Sequence, residues 1–173
     1  MIQIVSDQIM AKVGRYIYGV NDEKIEQALL DLCFKHGIKL AVIEAGIAPI
    51  VSDTLRKIDQ YDTVLVQSYH YPTPESLKNA VSLSATDLRG IASEAIKQIV
   101  TSSPAHVGIA IVANPDVDEA PDTNQGAAVA VYTPIKTTER VYGFGGKSEM
   151  AKQFVTTWSL SMLWRMLKEQ REL

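Results

Sequence analysis

The 173-residue sequence has a single cysteine, Cys33, so the chain can form no internal disulfide and no cysteine-rich zinc site. One thiol in a chain of this length fits a reducing compartment, which places the protein in the cytoplasm. An excess of charge of either sign is also missing. Seventeen Lys and Arg against twenty Asp and Glu leave a net charge of −3, which gives no footprint for nucleic acid or an acidic membrane. No apolar run approaches the roughly 20 residues that a membrane helix needs. The opening Met1–Met10 lacks the basic-then-apolar order of a secretory leader. Internal repeats and low-complexity tracts are absent. What is present is ordinary for a globular protein: the chain is 46% apolar and 21% charged, and its length suits one domain with a full core.

Residues 1–20 read as a linker-like lead-in, with a helical turn over Gln8–Arg15 and an extended Tyr16–Gly19. The domain then runs over 21–173. Helical spacing of Ile25, Ala28, Leu29, Leu32 and Cys33 predicts a helix over Asn21–His36, capped by Asn21 or Asp22 and ended by Gly37. Lys39–Glu44 is a short buried strand. Pro49 suits the first turn of a helix carrying Ile50, Val51, Leu55 and Ile58. Thr63–His70 is a second strand, broken by the prolines in Tyr71–Pro74. A short helix over Glu75–Val81 follows.

Ser84–Asp87 resembles a capping box for a helix running to Ser102. The wholly apolar Val107–Ala113 predicts a central strand. Asn114–Gln125 is a polar loop, and Gly126–Thr133 with Lys136–Phe144 forms a strand pair. The final helix, Lys147–Glu172, carries Met150, Phe154, Trp158, Met162 and Met166 four apart, a stripe expected in the core, with part of it available to a dimer contact. Strands separated by helices predict a single three-layer α/β/α domain with a mixed, partly parallel sheet.

In such sheets ligands bind beyond the carboxyl ends of the strands. Three loops qualify: Glu44–Pro49, Tyr69–Glu75 and Asn114–Gln125. The first ends a strand yet holds no hydroxyl or thiol through Pro49. Glu44 there is either a functional acid or a charge that caps the next helix. Tyr69, His70 and Tyr71 line a pocket or simply pack. Ser52 and Thr54 are candidates for a displaced nucleophile. Lys147 is available to a ligand anion or to solvent. The aspartates of the third loop lack calcium-loop spacing and read as solvated rather than metal-binding. Cys33 falls on an apolar helix stripe and reads as a core thiol, and His36 suits a helix C-terminus.

From about Val5 to Leu167 the sequence resembles the carboxy-terminal domain of the CinA family, the nicotinamide-nucleotide amidohydrolases. Gly14, Tyr16, Tyr18 and Gly19, followed by Asp22 and Glu23, are similar to the linker that precedes that domain. Ile43-Glu44-Ala45-Gly46-Ile47-Ala48-Pro49 stands where the family has Ala-Glu-Ser-Cys-Thr-Gly-Gly. Phe144–Ser148 stands where it has Phe-x-Gly-Asp-Arg.

The resemblance implies hydrolysis of the amide of nicotinamide mononucleotide by a serine that a tyrosine and a lysine activate. It puts the serine at Ala45, the tyrosine at Tyr71 or, as a poorer match, Tyr69, and the lysine at Ser76, with Lys78 nearby. The family's Gly-Ile-Ala-Gly-Pro becomes Ile111–Pro115. The expected pocket residues are Glu44, Ala45, Gly46, Tyr71, Asn114 and Gly126, with Tyr71 and Lys78 as the catalytic candidates. No metal or cofactor is expected. Asp116, Asp118, Glu119 and Asp122 would repel a phosphate at the loop that lies near the nucleotide in the family. The expectation is a homodimer that has lost deamidase activity and keeps a binding or structural role, with a small nucleotide-like ligand. The alternative is an active amidohydrolase with a rearranged site.

Overall fold

The computed structural model describes residues 24–171. The linker-like segment 1–20, its helical turn and extended stretch, and the caps expected at Asn21 or Asp22 lie outside the described residues.

A mixed five-stranded sheet runs in the order β2-β1-β3-β4-β5. Its strands are β1 (Leu40–Ala45), β2 (Leu65–Tyr71), β3 (Val107–Ala113), β4 (Ala127–Tyr132) and β5 (Thr137–Tyr142). The first three are parallel, and β4 and β5 add an antiparallel edge. All residues of β1 and β3 are buried, which explains why their sequences are continuous rather than alternating in polarity.

Helices cover both faces. On one lie α1 (Ile25–His36), α2 (Ile50–Arg56) and α5 (Glu149–Arg171), over a core of large side chains including Leu29, Leu40, Val42, Ile109, Ile111 and Leu163. On the other lie α3 (Pro74–Val81) and α4 (Leu88–Thr101), over a sheet face rich in small residues: Ala41, Ala45, Ala110, Ala128 and Ala130. Small residues let α4 sit close to the sheet, where Ile91, Ile96 and Ile99 fill the space. Burying each large aliphatic side chain contributes roughly 1.5–3 kcal/mol. Cys33 is a buried free thiol, pushed up to about 12 by burial, as an inert core residue would be.

Several expectations shift at their edges. Helix α1 starts at Ile25, with Lys24 at the cap position and no side-chain cap. It ends as expected at Gly37, whose φ of 66° lets its N–H reach back to Phe34. Pro49 is the cap of α2 rather than its first residue, and Ile58 lies beyond the helix end at Arg56. Strand β2 starts at Leu65, since Tyr61–Thr63 is a single 3-10 turn, and it takes in Tyr71, which was expected in the break.

The capping box at Ser84–Asp87 does not form. Helix α4 starts at Leu88, and Asp87 makes no side-chain cap bond. The N–H groups of Ser84 and Ala85 donate instead to Glu94, one and a half turns into the helix, at 3.0 and 2.9 Å. The box forms one element earlier, where Thr73 and Ser76 bond reciprocally at the start of α3.

The stripe on α5 is only partly core. Met150 and Phe154 are 50% and 43% exposed, Trp158 and Met162 are partly buried, and only Met166 is fully inside. Ala151, Val155, Ser159, Leu160, Leu163 and Leu167 form most of the buried face. The outer aromatics pack sideways instead. Tyr142 stacks on Phe154 at 6.4 Å, and the Arg140 guanidinium lies over Tyr142 and Trp158.

Candidate functional site

The turn after β1 sits at the carboxyl edge of the parallel strands, beside the loops that follow β2 and β3. Alternation along β1 sends Glu44 and Ala45 to opposite faces of the sheet. Ala45 is fully buried against the α3/α4 face, in the cluster that holds Leu77 and Ile91. Its neighbours in the sheet are Tyr71 and Val112.

Glu44 is also fully buried, on the α2 side. Its Oε1 accepts the Val51 N–H at 2.6 Å, and its Oε2 accepts the Ser52 N–H at 3.3 Å and the Ser52 hydroxyl at 2.7 Å. Of the two roles open to it from sequence, the structure realises the cap. Burial pushes its carboxyl up from the ordinary range, while the Ser52 hydroxyl and the two N–H groups pull it back and the charge of Asp53 adds to the rise. The hydrogen-bond chain continues outward. Ser68 Oγ donates to Ser52 Oγ at 3.0 Å, and Arg56 donates to Ser68 Oγ at 3.0 Å.

A helix start normally leaves N–H groups free for an anion. Here the first turn of α2 has none to spare. Pro49 carries no N–H, Ile50 donates to Ala48 at 2.7 Å, Val51 and Ser52 donate to Glu44, and Asp53 donates to Pro49 at 3.0 Å.

The turn itself is covered. Gly46 has a φ of 72°, and its backbone lies against Ala113: a Cβ there would stand 1.9 Å from the Ala113 carbonyl oxygen. Gly146 closes over it from the other side, where a Cβ would stand 1.9 Å from the Gly46 carbonyl oxygen. The Gly146 N–H is held by the Asn114 carbonyl at 2.9 Å, and the Asn114 N–H by the Gly126 carbonyl at 2.9 Å. His70 Nε2 donates to the Ile47 carbonyl at 2.9 Å, which also fixes the neutral tautomer of that ring.

The expected pocket residues therefore divide. Asn114 lines an open hollow of about 370 Å³ with Pro74, Asp87, Ile91 and Gln125. Tyr71 lines a different hollow, of about 270 Å³, with Tyr69, Gln98 and Pro104. Lys78 stands 3.9 Å from Glu75 on α3. Glu44, Ala45, Gly46 and Gly126 are buried and line neither hollow. Ser52, a candidate nucleophile from sequence, has a carboxylate partner that the sequence does not show. Its partner, Glu44, lies eight residues earlier, and only the strand-turn-helix geometry brings the two together.

The acidic loop is held to the segment before α5. The Val117 and Asp118 carbonyls accept the N–H groups of Lys147 and Gly145 at 3.1 and 2.9 Å, and the Ala120 N–H donates to the Gly143 carbonyl at 2.7 Å. Asp122 accepts the Asn124 N–H at 2.9 Å. Among the described residues no group of three or more His, Cys, Asp or Glu side chains could hold a metal ion, and no helix is long and apolar enough to cross a membrane.

No family model matches the chain. Its sequence is similar to a CinA-like protein of Syntrophobacter fumaroxidans, with 23% identity over 99% of this chain, which spans 43% of that protein's length. In fold it is similar to a solved competence-damaged protein (CinA) superfamily protein of Escherichia coli, with a TM-score of 0.70, 16% identity, and coverage of 90% of this chain and 98% of that one. A competence or damage-inducible protein of Enterobacter asburiae superposes with a TM-score of 0.71 at 15% identity, over 83% of this chain and 96% of the other. The competence damage-inducible protein A of Klebsiella pneumoniae gives 0.69 at 14% identity, over 84% and 98%. The chain is thus CinA-like, with the CinA-superfamily fold along most of its length and a sequence divergent from the CinA proteins it resembles.

Proposed function

We propose that this chain is a CinA-like domain without nicotinamide mononucleotide amidohydrolase activity, acting as a binding or structural protein. The observation that carries this reading is the fully buried Ala45 at the position where the resemblance puts the serine. An alanine methyl offers no oxygen to attack a carbonyl, and the position faces packed side chains rather than a hollow. The engaged amides at the start of α2 support it, since they leave a phosphate no backbone donors there. It is supported further by Tyr71 and Asn114 lining different hollows and by Lys78 lining neither of them. The reading also carries a cytoplasmic location, a small ligand and a homodimer, and light scattering behind a sizing column tests the last by reading twice the mass of one chain. Purified protein incubated with nicotinamide mononucleotide tests the main proposal. It is upheld by ammonia release no higher than a protein-free blank, and refuted by release that co-purifies with the chain.

One observation favours a second reading, in which the domain is still a hydrolase. Ser52 is hydrogen-bonded to a carboxylate, Glu44, which is how a serine is paired with a base. Both are fully buried, so this reading requires α2 to open. Any amide hydrolysis found must then vanish in Ser52→Ala. Activity retained in that variant removes the reading.

A further inference from the structure

At the opposite end of the molecule, below the amino ends of the strands, the C-termini of α1 and α5 meet the turn between β4 and β5. They enclose an open hollow of about 370 Å³. Its walls are mostly apolar, with Ile38, Leu167 and the 70%-exposed Ile135 among them. Its polar side chains are His36, His106, Gln170 and Arg171, and among the described residues no carboxylate lines it.

We propose that this hollow binds a small organic anion, a free carboxylate carried on a ring or short apolar body. The apolar walls take the body, and the Arg171 guanidinium and the two imidazoles take the carboxylate. Three features of the hollow support the assignment.

The tautomer of His106 is fixed. Its Nδ1 accepts the Lys39 N–H at 2.9 Å, so in the neutral ring the proton sits on Nε2, which is left as a donor. Gln170 spends one amide bond on Thr133 Oγ1 at 2.8 Å, which orients its side chain along the hollow's rim.

Among the described residues, the charges that act on His36 are positive. His36 is held below its ordinary range by partial desolvation and then by the charges of Arg171 and Lys35. The Arg171 charge also reaches Cys33 in the core. Along the chain, the charged or titratable groups in or next to the hollow's lining are Lys35 and His36 on α1, Lys39 ahead of β1, His106 ahead of β3, Arg171 on α5 and Lys136 in the β4–β5 turn, while Glu172, which follows Arg171, lies outside the described residues. Glu169, the nearest carboxylate along α5, is exposed and does not line the hollow.

Cations at helix C-termini complement the helix dipole, and a single Lys or Arg per helix does that. Here two imidazoles and a guanidinium from three separate segments converge on one apolar-walled concavity, which is the arrangement of a binding site.

The chain has three histidines, and His70 lies elsewhere, bonded to Ile47. It therefore serves as an internal control. The experiment follows the ring C–H signals of all three by NMR while the whole protein is titrated with benzoate, with its neutral analogue benzamide and with cationic benzylamine. Benzoate is expected to move His36 and His106 but not His70, with a Kd of about 1 mM. It is also expected to raise the titration of His36, so that binding tightens as pH falls. Benzamide should bind at least threefold more weakly, and benzylamine should move neither ring. Arg171→Gln should weaken benzoate about tenfold, the loss of one charge-assisted bond. In the free variant the His36 titration should rise, since a charge that held it down is gone. The proposal is overturned if benzoate leaves both rings unmoved, if benzamide or benzylamine binds as well as benzoate, or if Arg171→Gln changes neither affinity nor the His36 titration.

Discussion

Glu44 and Ser52, eight residues apart in sequence, form a fully buried carboxylate–hydroxyl pair with a 2.7 Å hydrogen bond, and through it the end of β1 is fastened to the first turn of α2. The same carboxylate takes the N–H groups of Val51 and Ser52. Removing it in Glu44→Ala leaves three buried donors without an acceptor, so the variant should lose about 3 kcal/mol of unfolding free energy in a urea titration. Ser52→Ala removes one donor and should cost less than half of that.

Glu44 also sets a pH dependence with an unusual sign. Its carboxyl in the folded chain lies above the ordinary value of 4.5. The folded state therefore holds its proton more tightly than the unfolded state does. Its contribution to stability is full below about pH 4.5 and declines as pH rises through the folded value. Glu94, which accepts the N–H groups of Ser84 and Ala85, is held below the ordinary range mainly by those bonds, so its contribution is present above that value and is lost as pH falls. Urea midpoints measured across the acid range should lose their decline with rising pH in Glu44→Gln and their loss at low pH in Glu94→Gln.

Gly146→Ala should be among the most damaging small substitutions in the protein. The added methyl would stand 1.9 Å from the Gly46 carbonyl oxygen, a backbone atom that cannot swing away. A loss above about 2 kcal/mol is expected by urea titration. Gly37→Ala is the comparison. That glycine has a φ of 66° but open space around it, so only the backbone conformation resists, at a cost of about 1 kcal/mol.

Ala45→Ser puts a hydroxyl where the resemblance expects one. The position is fully buried among Leu77, Ile91 and the alanines of the sheet. An added hydroxyl there costs about 1–3 kcal/mol. The variant should be less stable than the parent and should still release no ammonia from nicotinamide mononucleotide.

The parts of the fold that could be read from sequence were those decided by local pattern. Val107–Ala113 is apolar throughout and is a central strand with those bounds. Gly37 follows an amphipathic run and ends α1. Where a distant partner intervenes, local pattern misleads. The Ser84–Asp87 cap loses its donors to Glu94, ten residues from Ser84.

The stripe on α5 misleads for a geometric reason. Residues four apart advance about 40° around a helix with each step, so Met150 and Met166 end about 160° apart on its circumference. One faces solvent and the other the core. At the site, the sequence shows that Ala45 lacks a hydroxyl. That the turn is covered by Gly146, and that Tyr71 and Asn114 open onto different hollows, depends on long-range packing that no spacing reveals.

The most direct test of the proposed loss of activity places the protein in excess over nicotinamide mononucleotide and follows the pyridinium ring protons by NMR, so that even a single slow turnover is seen. The account predicts that the amide spectrum persists unchanged beyond the protein-free control. Conversion to the acid at a rate proportional to protein concentration, and co-purifying with the chain, would contradict it.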